Sequence, residues 1–192
     1  MEIKRDFYLN KLIRSLHNGM VKVITGIRRC GKSYLLNSLF KDYLLSSGVL
    51  ESRIIQIDLS SLENSNLLNP IKLDKFIKEK INKKDEFFLF IDEIQFCESI
   101  ANPAFDGYET IDGDIPKITF YQVLNGLLSE YPNVDIYVTG SNSRLLSSDV
   151  LTEFRGRGWQ IDLAPLSFNE YAAAFPNKDK RMLFEEYLTF GG

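Results

Sequence analysis

With 192 residues, the chain has room for one domain of ordinary size, or for one domain plus a fragment. A hydrophobic content of 44%, with 14 Phe and 9 Tyr, is enough to fill a core and excludes a disordered chain. The net charge of −3 excludes a global basic field that would draw in nucleic acid or an anionic membrane. Cys30 and Cys97 are too few for a disulfide framework, and the single histidine, His17, excludes a multi-histidine metal site. The start, MEIKRDFYLNKL, is charged through its first turn and does not read as a signal peptide. Nothing approaches the ~18 uninterrupted apolar residues of a membrane span. The expected location is the cytoplasm.

In chain order, Leu9, Leu12, Ile13 and Leu16 recur at helical spacing after Arg5, and Gly19 stops the pattern. MVKVITG is a short β-branched run and reads as a buried strand. SYLLNSLFKDYLLSSG places Leu36, Leu39, Phe40 and Tyr43 on one helical face, with Gly48 closing it. RIIQIDLS is the second strand, and a polar loop leads to the amphipathic IKLDKFIKEKI. EFFLFIDE is apolar throughout its centre, as a strand covered on both faces must be. TFYQVLNGLLSEY is a helix despite Gly126, VDIYVTGS a fourth strand and WQIDLAP a fifth. Ser167 and Glu170 then have the spacing of a capping box that opens further helix. Strands alternating with helices predict an α/β fold with a parallel sheet. The division expected is a core over 1–166 and, over 167–192, the helical start of a lid or C-terminal region that continues beyond this chain.

One stretch breaks the rhythm. Residues 97–117 carry Asp, Gly and Pro punctuation, and five acids, Glu98, Asp106, Glu109, Asp112 and Asp114, against Lys117. It reads as an irregular insertion whose acidity makes it a poor phosphate-backbone binder.

Four motifs carry chemistry. Gly26-x-x-x-x-Gly31-Lys32-Ser33 is a P-loop pattern between a strand and a helix. Its glycines let backbone N–H groups approach an anion at the helix N-terminus, so Gly26, Ile27, Arg28, Arg29, Cys30, Gly31, Lys32, Ser33 and Tyr34 are the expected nucleotide-binding residues. Lys32 would reach the β- and γ-phosphates, and the Ser33 hydroxyl would ligate Mg²⁺. Arg28 and Arg29 are extra cations that phosphate binding does not require. Side chains turned to solvent are weighed against an arginine paired with an acid of a partner domain or subunit. Second, Asp92 ends an apolar strand, where a Walker B carboxylate holds Mg²⁺, and Glu93 is suited to activate a water. Third, YVTGSNS offers Ser141 as a γ-phosphate sensor, with Asn142 and Thr139 as alternatives. Fourth, TEFRGRGWQ places Arg155 and Arg157 on a turn, where an arginine could stabilise a transferring phosphoryl group in a neighbouring subunit; Arg155 is preferred over Arg157.

GIRRCGKS, FLFIDEIQ, VTGSNSRLLS, TEFRGRG and PLSFNEY occur in one order, from about Arg5 to the end of the chain. Together they resemble the ATP-binding domain of the AAA-fourteen ATPases. The resemblance implies a P-loop NTPase fold of three αβα layers, with a mostly parallel five-stranded sheet of the additional-strand catalytic-glutamate class and the Walker A strand at its centre. It implies ATP and Mg²⁺ as ligands, Lys32 and Ser33 as the Walker A pair, Asp92 and Glu93 as the Walker B pair and Ser141 as the sensor; with Arg155 from the turn, Lys32, Glu93 and Ser141 are the expected catalytic residues. It also implies a C-terminal nuclease-like domain absent from this chain, and an arginine used in trans would require a homo-oligomer. The expected function is ATP binding and hydrolysis, coupling nucleotide state to that domain or a partner. A nucleotide-gated switch with negligible turnover is the alternative. A small-molecule kinase lacks its arginine-rich lid here, and no guanine-reading Asn-Lys-x-Asp motif supports a GTPase.

Overall fold

The computed structural model describes residues 3–105, 115–141 and 152–190. Helix α1 is Asp6–Arg14 and strand β1 is Val21–Gly26. Helix α2 starts at Lys32–Tyr34, widens into a π-helical stretch over Leu35–Phe40 and continues as Lys41–Ser46. Strand β2 is Ile54–Asp58, helix α3 Pro70–Lys80 and strand β3 Phe87–Asp92. Two short strands follow, β4 Ile100–Ala101 and β5 Lys117–Ile118, then helix α4 Phe120–Glu130. Strands β6, Val134–Ser141, and β7, Gly158–Leu163, complete the main sheet. Helices α5, Phe168–Ala173, and α6, Lys180–Phe190, come last.

The main sheet has the order β2-β3-β6-β1-β7 and every pairing is parallel. The expected α/β fold with five parallel strands is therefore present. One detail differs: the middle position belongs to β6, while β1 lies one place off centre, paired with β6 on one edge and β7 on the other.

Strand alternation explains the three layers. In β3, Phe87, Leu89 and Ile91 face one core, shared with Leu73 and Ile77 of α3 and Val123, Leu124 and Leu127 of α4. Phe88 and Phe90 face the other, shared with Leu12 of α1 and Leu35, Leu36, Leu39 and Phe40 of α2. Each fully buried Leu, Ile or Phe contributes about 1.5–3 kcal/mol of transfer free energy, so two apolar faces on one strand bind helices on both sides. Caps fix where the helices begin. Asn69 accepts the Ile71 and Lys72 N–H groups at α3, and Thr119 with Gln122 forms a capping box at α4. The capping box expected at Ser167 and Glu170 is formed at α5.

The insertion is more ordered at its base than its composition implies. Ile100 and Ala101 pair antiparallel with Ile118 and Lys117, closing the excursion as a two-stranded ladder. Four of its acids, Asp106, Glu109, Asp112 and Asp114, lie outside the described residues. Among the described residues, no helix is long and apolar enough to cross a membrane.

Candidate functional site

The P-loop follows β1 and runs into α2. Register places Gly26 beside Ser141 on β6 and beside Leu163 on β7, so the loop opens where three parallel strands end together. Gly26 is required by close approach: a Cβ there would lie 2.5 Å from the Leu163 carbonyl oxygen and 2.7 Å from Cys30 Sγ. Gly31 has φ +94°, a left-handed turn that an L side chain would strain, and it forms the N-terminal boundary of α2. Cys30 is buried as a small filler between them.

Lys32 is buried along its stem, and its ammonium donates to the carbonyls of Ile27, at 3.1 Å, and Gly26, at 3.3 Å. Its contacts are thus neutral oxygens of its own loop. Arg28 and Arg29 are both exposed. They diverge: Arg28 shares a cleft with Lys32, whereas Arg29 lines a second cavity on the other side of the loop.

The first cleft, about 350 Å³, is lined by Arg28, Lys32, Ser60, Glu93, Gln95 and Ser141, with Phe96 as its apolar wall. Three of the expected catalytic side chains, Lys32, Glu93 and Ser141, therefore converge on one cleft. Asp92 stands behind it, largely buried. The Thr139 hydroxyl donates to Asp92 Oδ1, and Thr139 Oγ1 in turn accepts the Glu93 N–H at 3.0 Å. Asn37 Nδ2 reaches Asp92 Oδ2 at 3.4 Å, and Gln56 Nε2 donates to Asn37 Oδ1 at 3.1 Å. Asn37 belongs to the π-helical stretch, so widening of α2 falls where its side chain meets the carboxylate. Thr139, an alternative to Ser141 at the level of sequence, is buried beneath the acid pair, while Ser141 lines the cleft. Asn142, the other alternative, lies outside the described residues.

Glu93 has φ 55°, a left-handed conformation that is uncommon for a residue with a side chain. Gln95 Nε2 donates to its carboxylate. The Asp92 carboxylate and the exposed Ser33 hydroxyl are hard oxygen donors of the kind Mg²⁺ prefers. Among the described residues no group of three or more His, Cys, Asp or Glu could cage a metal. A cation here would need oxygens brought by a ligand, as Mg²⁺ carried on phosphates does.

The second cavity, about 320 Å³, is mainly apolar, with Ile3, Tyr34 and Leu166 among its lining and Arg5, Cys30 and Gly31 along the loop side. Sequence reasoning assigned none of Ile3, Arg5 or Leu166. They flank the sheet at the two ends of the chain, and no local pattern joins them.

Arg155 and Arg157 sit at the other end of the sheet. The Val21 N–H donates to the Arg157 carbonyl at 2.8 Å, and Val21 pairs with Gly158. Five strand steps separate Val21 from Gly26, about 17 Å at the usual rise. Neither arginine can serve its own chain's loop, so a catalytic role for Arg155 is confined to a neighbouring copy. Arg157 donates to Ser129 Oγ at 3.1 Å, whereas Arg155 is exposed on a turn with φ 51°.

The family profile of AAA_14, described as an AAA domain, matches residues 18–172. The chain belongs to that family. This AAA domain is 32% identical over 196 residues to an uncharacterized protein of Haemophilus influenzae, covering 99% of the chain and 43% of the relative. It is 30% identical over 187 residues to an uncharacterized protein of Methanocaldococcus jannaschii, covering 90% and 35%. The chain thus spans less than half the length of the curated relatives it matches. Among solved structures, Caenorhabditis elegans PCH-2 superposes with a TM-score of 0.52 at 16% identity, over 96% of this chain and 46% of that one. Saccharomyces cerevisiae Hsp104, in a complex with casein, gives 0.55 at 18%, over 96% and 30%. At these identities the likeness concerns the fold. Family and fold agree on an AAA domain.

Proposed function

We propose that this AAA domain binds Mg–ATP at the Gly26–Tyr34 loop and hydrolyses it, coupling the nucleotide state to a further domain or partner. The observation that carries the reading is the convergence of Lys32, Glu93 and Ser141 on one cleft at the mouth of the loop, with Asp92 and Ser33 adjoining. In this reading the first cleft takes the phosphates and the apolar cavity beside Tyr34 and Leu166 takes the base.

Lys32 turns from the carbonyls of Gly26 and Ile27 to phosphate oxygens, exchanging neutral acceptors for charged ones. Bound Mg²⁺ would neutralise charge across the β- and γ-phosphates, with Ser33 and Asp92 as its protein-side oxygens. Thr139 fixes the Asp92 carboxylate and, through the Glu93 N–H, the backbone that aims the Glu93 side chain. Glu93 accepts the proton of the attacking water. Ser141, beside Gly26, stands where a γ-phosphate or that water is sensed. Arg155 acts on a neighbouring copy's site, which requires a homo-oligomer.

ATP turnover of the wild type and of Glu93→Gln tests the reading. The variant should lose at least about 100-fold in kcat while retaining nucleotide binding. Equal turnover would remove Glu93 from its role. A switch with negligible turnover is the second reading, favoured by the Gln95 contact that engages the Glu93 carboxylate. Tight Mg–ATP binding without turnover, with release of catalysis in Gln95→Ala, would select it.

A further inference from the structure

Arg5 borders the cavity given to the base but has no stated role in the reading above, although its side chain is heavily engaged. It is 4% exposed, and its guanidinium reaches three separate segments. One Nη donates to the Cys30 carbonyl of the P-loop at 3.1 Å, the other to the Ala164 carbonyl just after β7 at 2.8 Å. Its Nε lies 2.8 Å from Glu170 Oε1 on α5. The ring of Tyr8 packs on the guanidinium at 4.8 Å, and the Tyr8 hydroxyl accepts the Ala164 N–H at 3.1 Å.

We propose that Arg5 is a positioning residue for the phosphate-binding loop, and that the Arg5–Glu170 pair transmits nucleotide occupancy to α5. The inference rests on nucleotide binding at this loop. A trans peptide is planar, with its carbonyl and N–H pointing in opposite directions. Holding the Cys30 oxygen therefore fixes the direction of the Gly31 N–H, one of the donors a phosphate would meet. Arg5 also abuts Gly31: a Cβ added there would come within 3.8 Å of its Nη1. A phosphate that reorients this peptide moves the atom Arg5 holds.

Glu170 connects that displacement to the helix. Its two oxygens have different duties: Oε1 faces Arg5, and Oε2 accepts the Ser167 N–H at 2.8 Å and the Ser167 hydroxyl at 2.7 Å. The carboxylate that caps α5 is thus the one that grips the loop's arginine. α5 is in turn tied to α6, through edge-on packing of Phe168 against Phe184 and a 3.0 Å hydrogen bond from the Tyr171 hydroxyl to Glu186. The route runs from loop to arginine to carboxylate to helix pair, with each joint a named contact.

Lysine keeps the charge at position 5 but presents one ammonium where two directed donors hold carbonyls of separate segments and a third nitrogen faces a carboxylate. Calorimetric titration with MgADP should show Arg5→Lys binding roughly tenfold or more weakly than wild type. Glu170→Gln should bind within about threefold of wild type. In wild type, MgADP should slow amide exchange across 167–173, and in Glu170→Gln that slowing should vanish. Arg5→Lys that melts lower yet binds MgADP like wild type, measured where both are folded, would show a merely structural residue and overturn the inference. So would wild-type exchange over 167–173 that is indifferent to MgADP. Failure of wild type to bind MgADP at all would defeat the nucleotide reading and this inference with it; binding with intact affinity in Arg5→Lys defeats this inference alone.

Discussion

Two buried lysines stand at opposite ends of the region around β1, and their surroundings separate a charge already paired with an anion from one held by neutral oxygens. Lys22, near the start of the strand, is fully buried and pairs with Asp135, which also accepts hydrogen bonds from the Tyr137 hydroxyl at 2.7 Å and the His17 N–H at 3.1 Å. Lys32, past the end of the strand, has only loop carbonyls for its ammonium among the described residues and borders an open cleft. Burial lowers the Lys22 pKa, and the Asp135 charge and hydrogen bond work against that shift. A cation with a fixed anion has no reason to leave it; one held by neutral oxygens gains when a phosphate arrives. Burial alone would not have distinguished the two. Their partners do.

The largest expected effect breaks the paired half of the comparison. Lys22→Met leaves the Asp135 carboxylate buried without its counter-charge and should cost about 3–5 kcal/mol in urea unfolding. MgADP affinity of the folded fraction should be unchanged. Gly26→Ala comes next: a methyl group 2.5 Å from a backbone oxygen forces β1 and β7 apart at the loop. About 1–3 kcal/mol of stability should be lost, with nucleotide affinity falling alongside. A double variant, Lys22→Met with Asp135→Leu, sharpens the comparison by removing both charges at once. It should recover much of the single variant's loss, and a coupling near zero in that cycle would deny the pair.

The smallest effect concerns Cys97, which follows the short turn after the acid pair and is chemically quiet. Burial first, then the Glu98 charge, pushes its thiol up to about 12. Its folded-state pKa lies above the unfolded value, so the stability it contributes is present at neutral pH and is lost as pH rises through 9 toward 12. Between pH 8 and 10 the wild type should lose more stability than Cys97→Ala, measured by urea unfolding. At pH 8, Cys97 should resist alkylation in the native state.

Much of this was legible in the chain. Strand β3 could be read because its centre is continuously apolar, β1 and β6 because they are short runs rich in β-branched residues, and the loop because its glycines stand between a strand and a helix. Asp92, Glu93 and Ser141 followed from strand ends. What could not be read depends on contacts between distant segments. Arg5 and Glu170 are 165 positions apart, and no periodicity links them. Lys22 and Asp135 interrupt apolar strands as if they were errors; only the register that sets β1 beside β6 makes them a pair. Asn37 reads as a polar position on an amphipathic helix until α2 widens toward Asp92. The arginine pair was legible as a turn entering the last strand, but its distance from the loop, about 17 Å of strand, is invisible without the sheet.

The central claim is that Lys32 is the lysine held ready for phosphate. Titrating Mg–ATP into wild type, Lys32→Met and a folded Lys22→Met/Asp135→Leu protein tests it most directly. Wild type and the double variant should bind alike, and Lys32→Met should bind at least about 100-fold more weakly while unfolding within about 1 kcal/mol of wild type. Undiminished Mg–ATP affinity in Lys32→Met would contradict the account.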